Sequence, residues 1–499
     1  MTQDSSGTVR LYAIGLLYTT DLTALGERKL DLLKPYEAVS EQSRKVKGVR
    51  LSYALPVSMR KDRQSLAGSS AHRLTSNLSL PLVLLLSSEL NNFPEEQVMK
   101  SIYVEVSGFS FACNLLPREV PVEIFVRIFE NGSVAVFLLM HVDAKTTVHQ
   151  AIDLVRRIDG YAQGRGSGAE GGRLESPSGS LPLESSELII GLLELLGIRE
   201  RVSARSWKSV IVDHYAYTYV QSSGLRNEEV YGLADLDWTF ETADGKTVRR
   251  VLNADVSMLS GIKSIITHNN NLVLFQENPQ SYVEGITGFP LEDEEDELLS
   301  YMKGKFLADE SEYTRATEAD QVTYEWASPV LEYMVNTEPL RLQVALLREY
   351  EAEVSTWINR PEERKLSSPE LKRALALELD FFYTMRFASI TGVRAALEVA
   401  YKEMGIDVLE KVLNDKMSLV ESSNQLEHNE QVEKWDRWLT YAATIMIVVS
   451  VTNAFIYYYR VTLNPFLAVV IMLVAGFLTF ASLLEISRHS LGRGPKHTV

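Results

Sequence analysis

The sequence predicts an α+β cytosolic region followed by long α-helices and two C-terminal transmembrane helices. Three observations predict it. The chain closes with two uncharged runs, 22 residues between Arg437 and Arg460 and 24 between Arg460 and Glu485. Each is long enough to cross ~30 Å of hydrocarbon at ~1.5 Å per residue. The first part of the chain shows strand-like alternation mixed with amphipathic stretches, whereas from about Glu338 helical periodicity runs almost unbroken to the membrane. A buried helical hairpin in a soluble core rarely runs so long without a charge, so the spanning reading is preferred.

Residues 1–161 read as an N-terminal mixed α/β domain, with a strand at VRLYAIGLLYTT, a helix at LTALGERKLDLLKPYEAV and apolar runs at LPLVLLLSS and SIYVEVSGFSFACNLL. In VEIFVRIFENGSVAVFLLMHV the pair Asn131-Gly132 lies between alternating strands and suits a type I′ hairpin. TVHQAIDLVRRIDGYA follows as an amphipathic helix. Residues 162–183 are rich in Gly, Ser and Pro and read as a linker or mobile loop. A phosphate-cradling loop at Gly164, Gly166 and Gly168 lacks both an incoming strand and a closing Lys-Ser/Thr pair.

Residues 184–330 form a second α/β segment: a helix at SSELIIGLLELLGI, a strand at SVIVDHYAYTYVQ, and a hairpin at KSIITHNNNLVLFQEN turning at Asn269 to Asn271. The acidic run Asp293 to Glu297 reads as a solvated face, since no spaced loop of carbonyl ligands surrounds it. Residues 338–437 form a helical stalk region. EPLRLQVALLREYEAEVSTWI is one helix; a second runs from Ser368 as N-cap, with Pro369 at its first position, to a stop at Gly405. A third starts near Asp407 and meets no Pro or Gly before Tyr459, so stalk and first span read as one rod. Residues 438–486 are the two-helix transmembrane domain and 487–499 a basic cytoplasmic tail.

Charge and motifs narrow the function. Lys434 and Arg437 precede the first span and Arg488, Arg493 and Lys496 follow the second, whereas the connecting loop carries only Arg460, so both termini face the cytoplasm. The start of the chain lacks a basic segment followed by an apolar run, and the single Cys113 forms no internal disulfide, which places the bulk in the cytosol and the spans in the inner (plasma) membrane as a multi-pass protein. A net charge of −16 argues against nucleic acid as a partner. No nucleophile motif, metal-ligand spacing or phosphate loop stands out; Gly245-Lys246-Thr247 lacks the upstream glycine, and His141 and His149 lie too far apart for one helical turn. The chain therefore reads as a non-enzyme without a cofactor, and its metal ligands are unknown.

The order of parts, and the stretch RWLTYAATIMIV at Arg437 to Val448, resemble the CorA family of divalent-cation channels over about the last 150 residues. The resemblance implies a homo-oligomeric pore in the lipid bilayer, a pentamer with one face of each stalk helix on the axis. The family's Gly-Met-Asn motif at the end of the first span is absent; Tyr457, Tyr458 and Tyr459 stand in its place, so Mg²⁺ selectivity does not carry over and the transported ion is a divalent or monovalent cation. Three tyrosines also suit a headgroup belt, and at most one of them faces the axis.

Counting at about 3.5 residues per turn, the pore-lining seam is Glu433, Asp436, Thr440, Thr444, then Ser450 or Val451, Asn453 and Tyr457. Its carboxylates would gather cations and its hydroxyl and amide oxygens replace hydration, although Thr and Ser also satisfy their own helix backbone. Three functions remain: an ion channel or transporter gated by the cytosolic domain, a membrane effector gated by a small-molecule ligand of that domain, or an anchored sensor or adaptor without conduction.

Overall fold

The computed structural model describes residues 7–21, 30–43, 45–54, 101–116, 118–165, 172–199, 212–222, 224–236, 262–275, 318–360, 367, 369–376, 379 and 391–462, with scattered positions between 466 and 480. The run at LPLVLLLSS, the acidic run Asp293 to Glu297, Gly245-Lys246-Thr247 and the basic tail lie outside them. The chain divides into two units, Met1–Lys416 and Met417–Val499.

The first unit is built on one mixed sheet. Its strands are β1 (Thr8–Asp21), β2 (Arg50–Ala54), β3 (Ser101–Phe111), β4 (Val120–Phe129), β5 (Ser133–Thr147), β6 (Arg173–Ser176), β7 (Gly179–Pro182), β8 (Asp213–Gln221), β9 (Ile262–Ile266) and β10 (Asn270–Phe275). They pair in the order β7-β6-β3-β4-β5-β1-β8-β10-β9, with β2 also on β3. The single sheet thus runs through both segments that read separately from the sequence. Among the described residues, the helices of this unit include α1 (Leu33–Gln42), α2 (Val148–Ala162), α3 (Ser185–Leu195), α4 (Asn227–Ala234), α5 (Glu318–Asn359) and α6 (Thr391–Glu403). A further helix, α7 (Ile406–Thr462), is continuous over 57 residues and enters the second unit.

Local chemistry explains most element ends. Thr147 caps α2 reciprocally with Gln150, each side chain reaching the other's backbone N–H. The Asn131-Gly132 hairpin forms, but not with the I′ turn: only Gly132 has a positive φ, +91°, and its N–H donates to the Phe129 carbonyl at 3.0 Å. That is a type I turn closed by a left-handed glycine, a three-residue loop between Phe129 and Ser133. Gly405, at φ +70°, ends α6 as its sequence predicts. The helical residues 369–376 are capped one residue earlier than expected, because the Ser367 N–H and hydroxyl both donate to Glu370 Oε2 while Leu371 N–H donates to the Ser367 carbonyl; the continuity of this stretch with α6 lies outside the described residues.

Two expectations change. Within the segment read as a linker, β6 and β7 pair around Pro177 and Ser178 and extend the sheet from β3, since Leu174 packs into the core at 0% exposure. Helix α5 starts well before Glu338, at Glu318, in spite of Pro329 and Pro339. Each proline deletes one backbone donor, and from Thr337 on, burial of the helix against the sheet offsets that loss.

The two faces of the sheet differ in chemistry because strand side chains alternate. One face is aliphatic: Val104, Val126, Val136, Leu16 and Ala216 belong to one core cluster that also takes in Ile152, Val155 and Ile158 of α2 and Leu192 of α3. The other is aromatic and charged, in rows set by strand register. One row runs Glu105, Phe125, Phe137, Leu17, Tyr215; a second runs Tyr103, Arg127, Ala135, Thr19, Asp213. Gly15 sits on this face, and a Cβ there would lie 2.8 Å from the Phe137 ring and 3.1 Å from Tyr217 Cβ. Its missing side chain lets those rings meet edge to face at 5.5 Å.

Candidate functional site

Helix α5 lies on the aromatic, charged face and is fixed there by buried ion pairs. Arg127 Nη1 donates to Glu338 Oε2 at 2.7 Å, with side chains 8% and 2% exposed. Its Nε donates to Ser101 Oγ at 3.0 Å, and its guanidinium lies over the rings of Tyr103 and Phe129. Burial pushes the Glu338 carboxyl up from its ordinary range while Arg127 opposes the shift. Three places across the same sheet row, Asp213 accepts from both Arg341 and Arg348 of α5. Arg341 also covers the Tyr215 ring, and its carbonyl accepts the Thr19 hydroxyl. Thr337 and Tyr217 share a hydrogen bond of 2.7 Å between buried hydroxyls. Removing one partner of such a pair leaves a charge stranded away from water, so α5 has little freedom to shift on the sheet without breaking several contacts together.

The far side of α5 holds the start of α7. Gln343 Nε2 donates to Glu410 Oε1 at 2.7 Å; Lys416 pairs with Glu351 and donates to Ser355 Oγ at 2.9 Å. Within the first unit a contiguous path of polar contacts therefore leads from the sheet through α5 to the first turns of α7.

In the second unit, α7 is the one described helix long and apolar enough to cross a membrane. The second uncharged run falls largely outside the described residues. All seven seam residues are placed on α7. Glu433 and Asp436 are exposed, and Glu433 lies 3.4 Å from Arg437. The Thr440 hydroxyl donates to the Asp436 carbonyl at 2.7 Å and that of Thr444 to the Thr440 carbonyl at 2.8 Å, so both are satisfied by their own helix. At ~100° per residue on a straight helix, Glu433, Asp436, Thr440, Thr444 and Val451 share one face, whereas Ser450, Asn453 and Tyr457 lie roughly 100–160° away from Glu433. From Thr440 onward the exposure pattern follows that division: Thr440, Thr444, Val451, Phe455 and Tyr458 are half-buried, and Ser450, Asn453 and Tyr457 are exposed. Between the two candidates for the middle of the seam, Val451 fits and Ser450 does not.

Among the described residues no group of three or more His, Cys, Asp or Glu side chains is placed to hold a metal ion. The Arg127–Glu338 and Asp213–Arg341 pairs escaped the sequence reading because their members lie 211 and 128 positions apart. The only trace was charge inside otherwise buried strand and helix patterns. Compared with protein-family models, with curated proteins and with solved structures, the chain has no match in any of the three.

Proposed function

We propose that the chain is the subunit of a homo-oligomeric ion-conducting membrane assembly, resembling the CorA channels in plan, whose pore is controlled by its cytosolic sheet domain. The observation that carries this reading is α7. It begins in polar contact with α5, which is itself locked to the sheet, and it continues without a break into an apolar span. A change in how the sheet holds α5 would thereby bias the helix that crosses the bilayer. The second uncharged run completes a hairpin, both termini face the cytoplasm, and Glu433 and Asp436 form the cation-gathering mouth.

Tyr457 to Tyr459 at the place of Gly-Met-Asn favour a further reading on the same scaffold. In it the pore is a ligand-gated effector, shut until a small molecule engages the cytosolic domain, and poorly selective once open. Mass measurement in nanodiscs tests the assembly: a ring of several copies, five by the resemblance, supports the proposal. A clean monomer would remove the pore and leave an anchored sensor, since two helices enclose no path.

A further inference from the structure

Within the second unit, two sides of α7 differ in how far the chain covers them. Thr440, Thr444, Val451, Phe455 and Tyr458 are half-buried, so on that side the helix is partly covered by its own chain. Leu439, Met446, Ser450, Asn453 and Tyr457 are exposed. At ~100° per residue these five lie within roughly 30° of one line, turned about 135° from the covered side. They follow one another at seven, four, three and four residues, the period at which a helix keeps one face on a parallel neighbour.

The polar groups on this line are unlike those elsewhere in the span. The hydroxyls of Thr440, Thr444 and Thr452 each donate to the carbonyl four residues earlier in their own helix, at 2.7, 2.8 and 2.7 Å. Among the described residues, neither the Ser450 hydroxyl nor the Asn453 amide has a hydrogen-bond partner. Asn453 stands seven positions before Arg460, about 10 Å inside the span at ~1.5 Å per residue, too deep for its short side chain to reach the headgroups. Acyl chains offer an amide no partner, and an unpaired amide in hydrocarbon is costly.

We propose that this line is covered by the α7 of a second copy of the chain, with Asn453 as the polar contact between copies. An amide carries donor and acceptor together and is its own complement. In a parallel cyclic assembly a given residue stands at the same height in every copy, so the Asn453 amides meet one another, with the Ser450 hydroxyls one turn before them. A polar residue on an otherwise apolar face also fixes the register of the copies. The seam is thereby divided: Ser450, Asn453 and Tyr457 face neighbouring copies, and Thr440, Thr444 and Val451 face the copy's own chain. The inference rests on the proposed homo-oligomer, but not on conduction.

The test uses the full chain in membranes of the expression host, with Cys113→Ser as background and single cysteines introduced along α7. Oxidation by copper phenanthroline should join copies through Met446→Cys and Asn453→Cys and leave Thr444→Cys and Val451→Cys unjoined. In phosphatidylcholine vesicles diluted with lipid, energy transfer between labelled copies should show association of Asn453→Val about fivefold weaker per contact, the equivalent of ~1 kcal/mol for a hydrogen bond between membrane helices, while Asn453→Gln keeps it. Cross-links through Thr444→Cys and Val451→Cys alone, or undiminished association of Asn453→Val, would overturn the proposal. Mass in nanodiscs separates the two levels: a monomer refutes the assembly and this contact together, whereas a ring of several copies that gives no cross-link through Met446→Cys or Asn453→Cys refutes only the contact.

Discussion

Replacing Glu338 by Leu removes the carboxylate that faces Arg127 and leaves a guanidinium only 8% exposed between two aromatic rings. The converse change, Arg127→Met, strands a carboxylate that is 2% exposed. Each single change should destabilise the seating of α5 by about 3–5 kcal/mol, the usual cost of breaking a buried pair from one side. The double variant should recover most of that loss, because an apolar pair of similar volume needs no desolvation of charge. Hydrogen exchange of the backbone amides in Leu340 to Tyr350 reads the seating directly. Protection there should fall roughly 100-fold or more in either single variant, and return to within about tenfold of the parent in the double. Additive losses, with the double variant worst, would refute the assignment of these two residues as one closed pair.

Other consequences follow from geometry. Glu229 is 1% exposed; burial acts to raise its carboxyl, but hydrogen bonds from the Arg226 side chain and from the Gly7 and Arg226 N–H groups bring it down to about 2. Its folded pKa is depressed, so its stabilisation of about 3 kcal/mol is present above pH ~4.5 and lost as pH falls toward ~2. Thermal unfolding of Glu229→Gln should therefore fall below the parent at neutral pH and converge with it in acid. Gly15→Ala should cost about 1–3 kcal/mol by forcing Phe137 aside, and Phe137→Leu in the same chain should restore part of the loss in denaturant titration. Charge reversal at Glu433 and Asp436 should lower cation conductance much more than reversal at Asp293 to Glu297, because charges repeated around one axis act together, whereas a solvated run is screened beyond ~8 Å. Equal effects in single-channel recording would contradict the mouth.

What was legible in the sequence was what neighbouring residues decide. The Asn131-Gly132 hairpin, the hairpin of β9 and β10 and the unbroken run of α7 each rest on residues a few positions apart, although the second hairpin turns at His268 and Asn269 and not at Asn269 to Asn271, since Asn270 and Asn271 already belong to β10. Partner choice was not legible. Strand β1 is buried on both faces, so its near-continuous apolar run hides which side meets helices and gives no sign that it pairs with β5, more than a hundred residues away, and with β8, some two hundred away. Composition misled at Arg173 to Pro182, where a Ser-rich stretch becomes an edge hairpin because Leu174 and Leu183 reach the core. Helical periodicity is read only from about Glu338, whereas α5 begins at Glu318. For the seam, Asn453 lies off the line of Glu433 at 3.5 as at 3.6 residues per turn, and on a straight helix it turns away from Thr440 and Thr444.

Ion flux through the purified chain in liposomes separates a pore from an anchor. Mg²⁺, K⁺ and Cl⁻ are compared with and without cell extract as a source of ligand, alongside the Arg127→Met chain as a probe of the sheet's control. Cation flux with little preference for Mg²⁺ is expected, because no Gly-Met-Asn ring holds the hydrated ion, and Arg127→Met should change the fraction of open pores while leaving the ion preference intact. Strong constitutive Mg²⁺ selectivity would contradict the reading of the tyrosine rim, and absence of flux in every condition would contradict the pore.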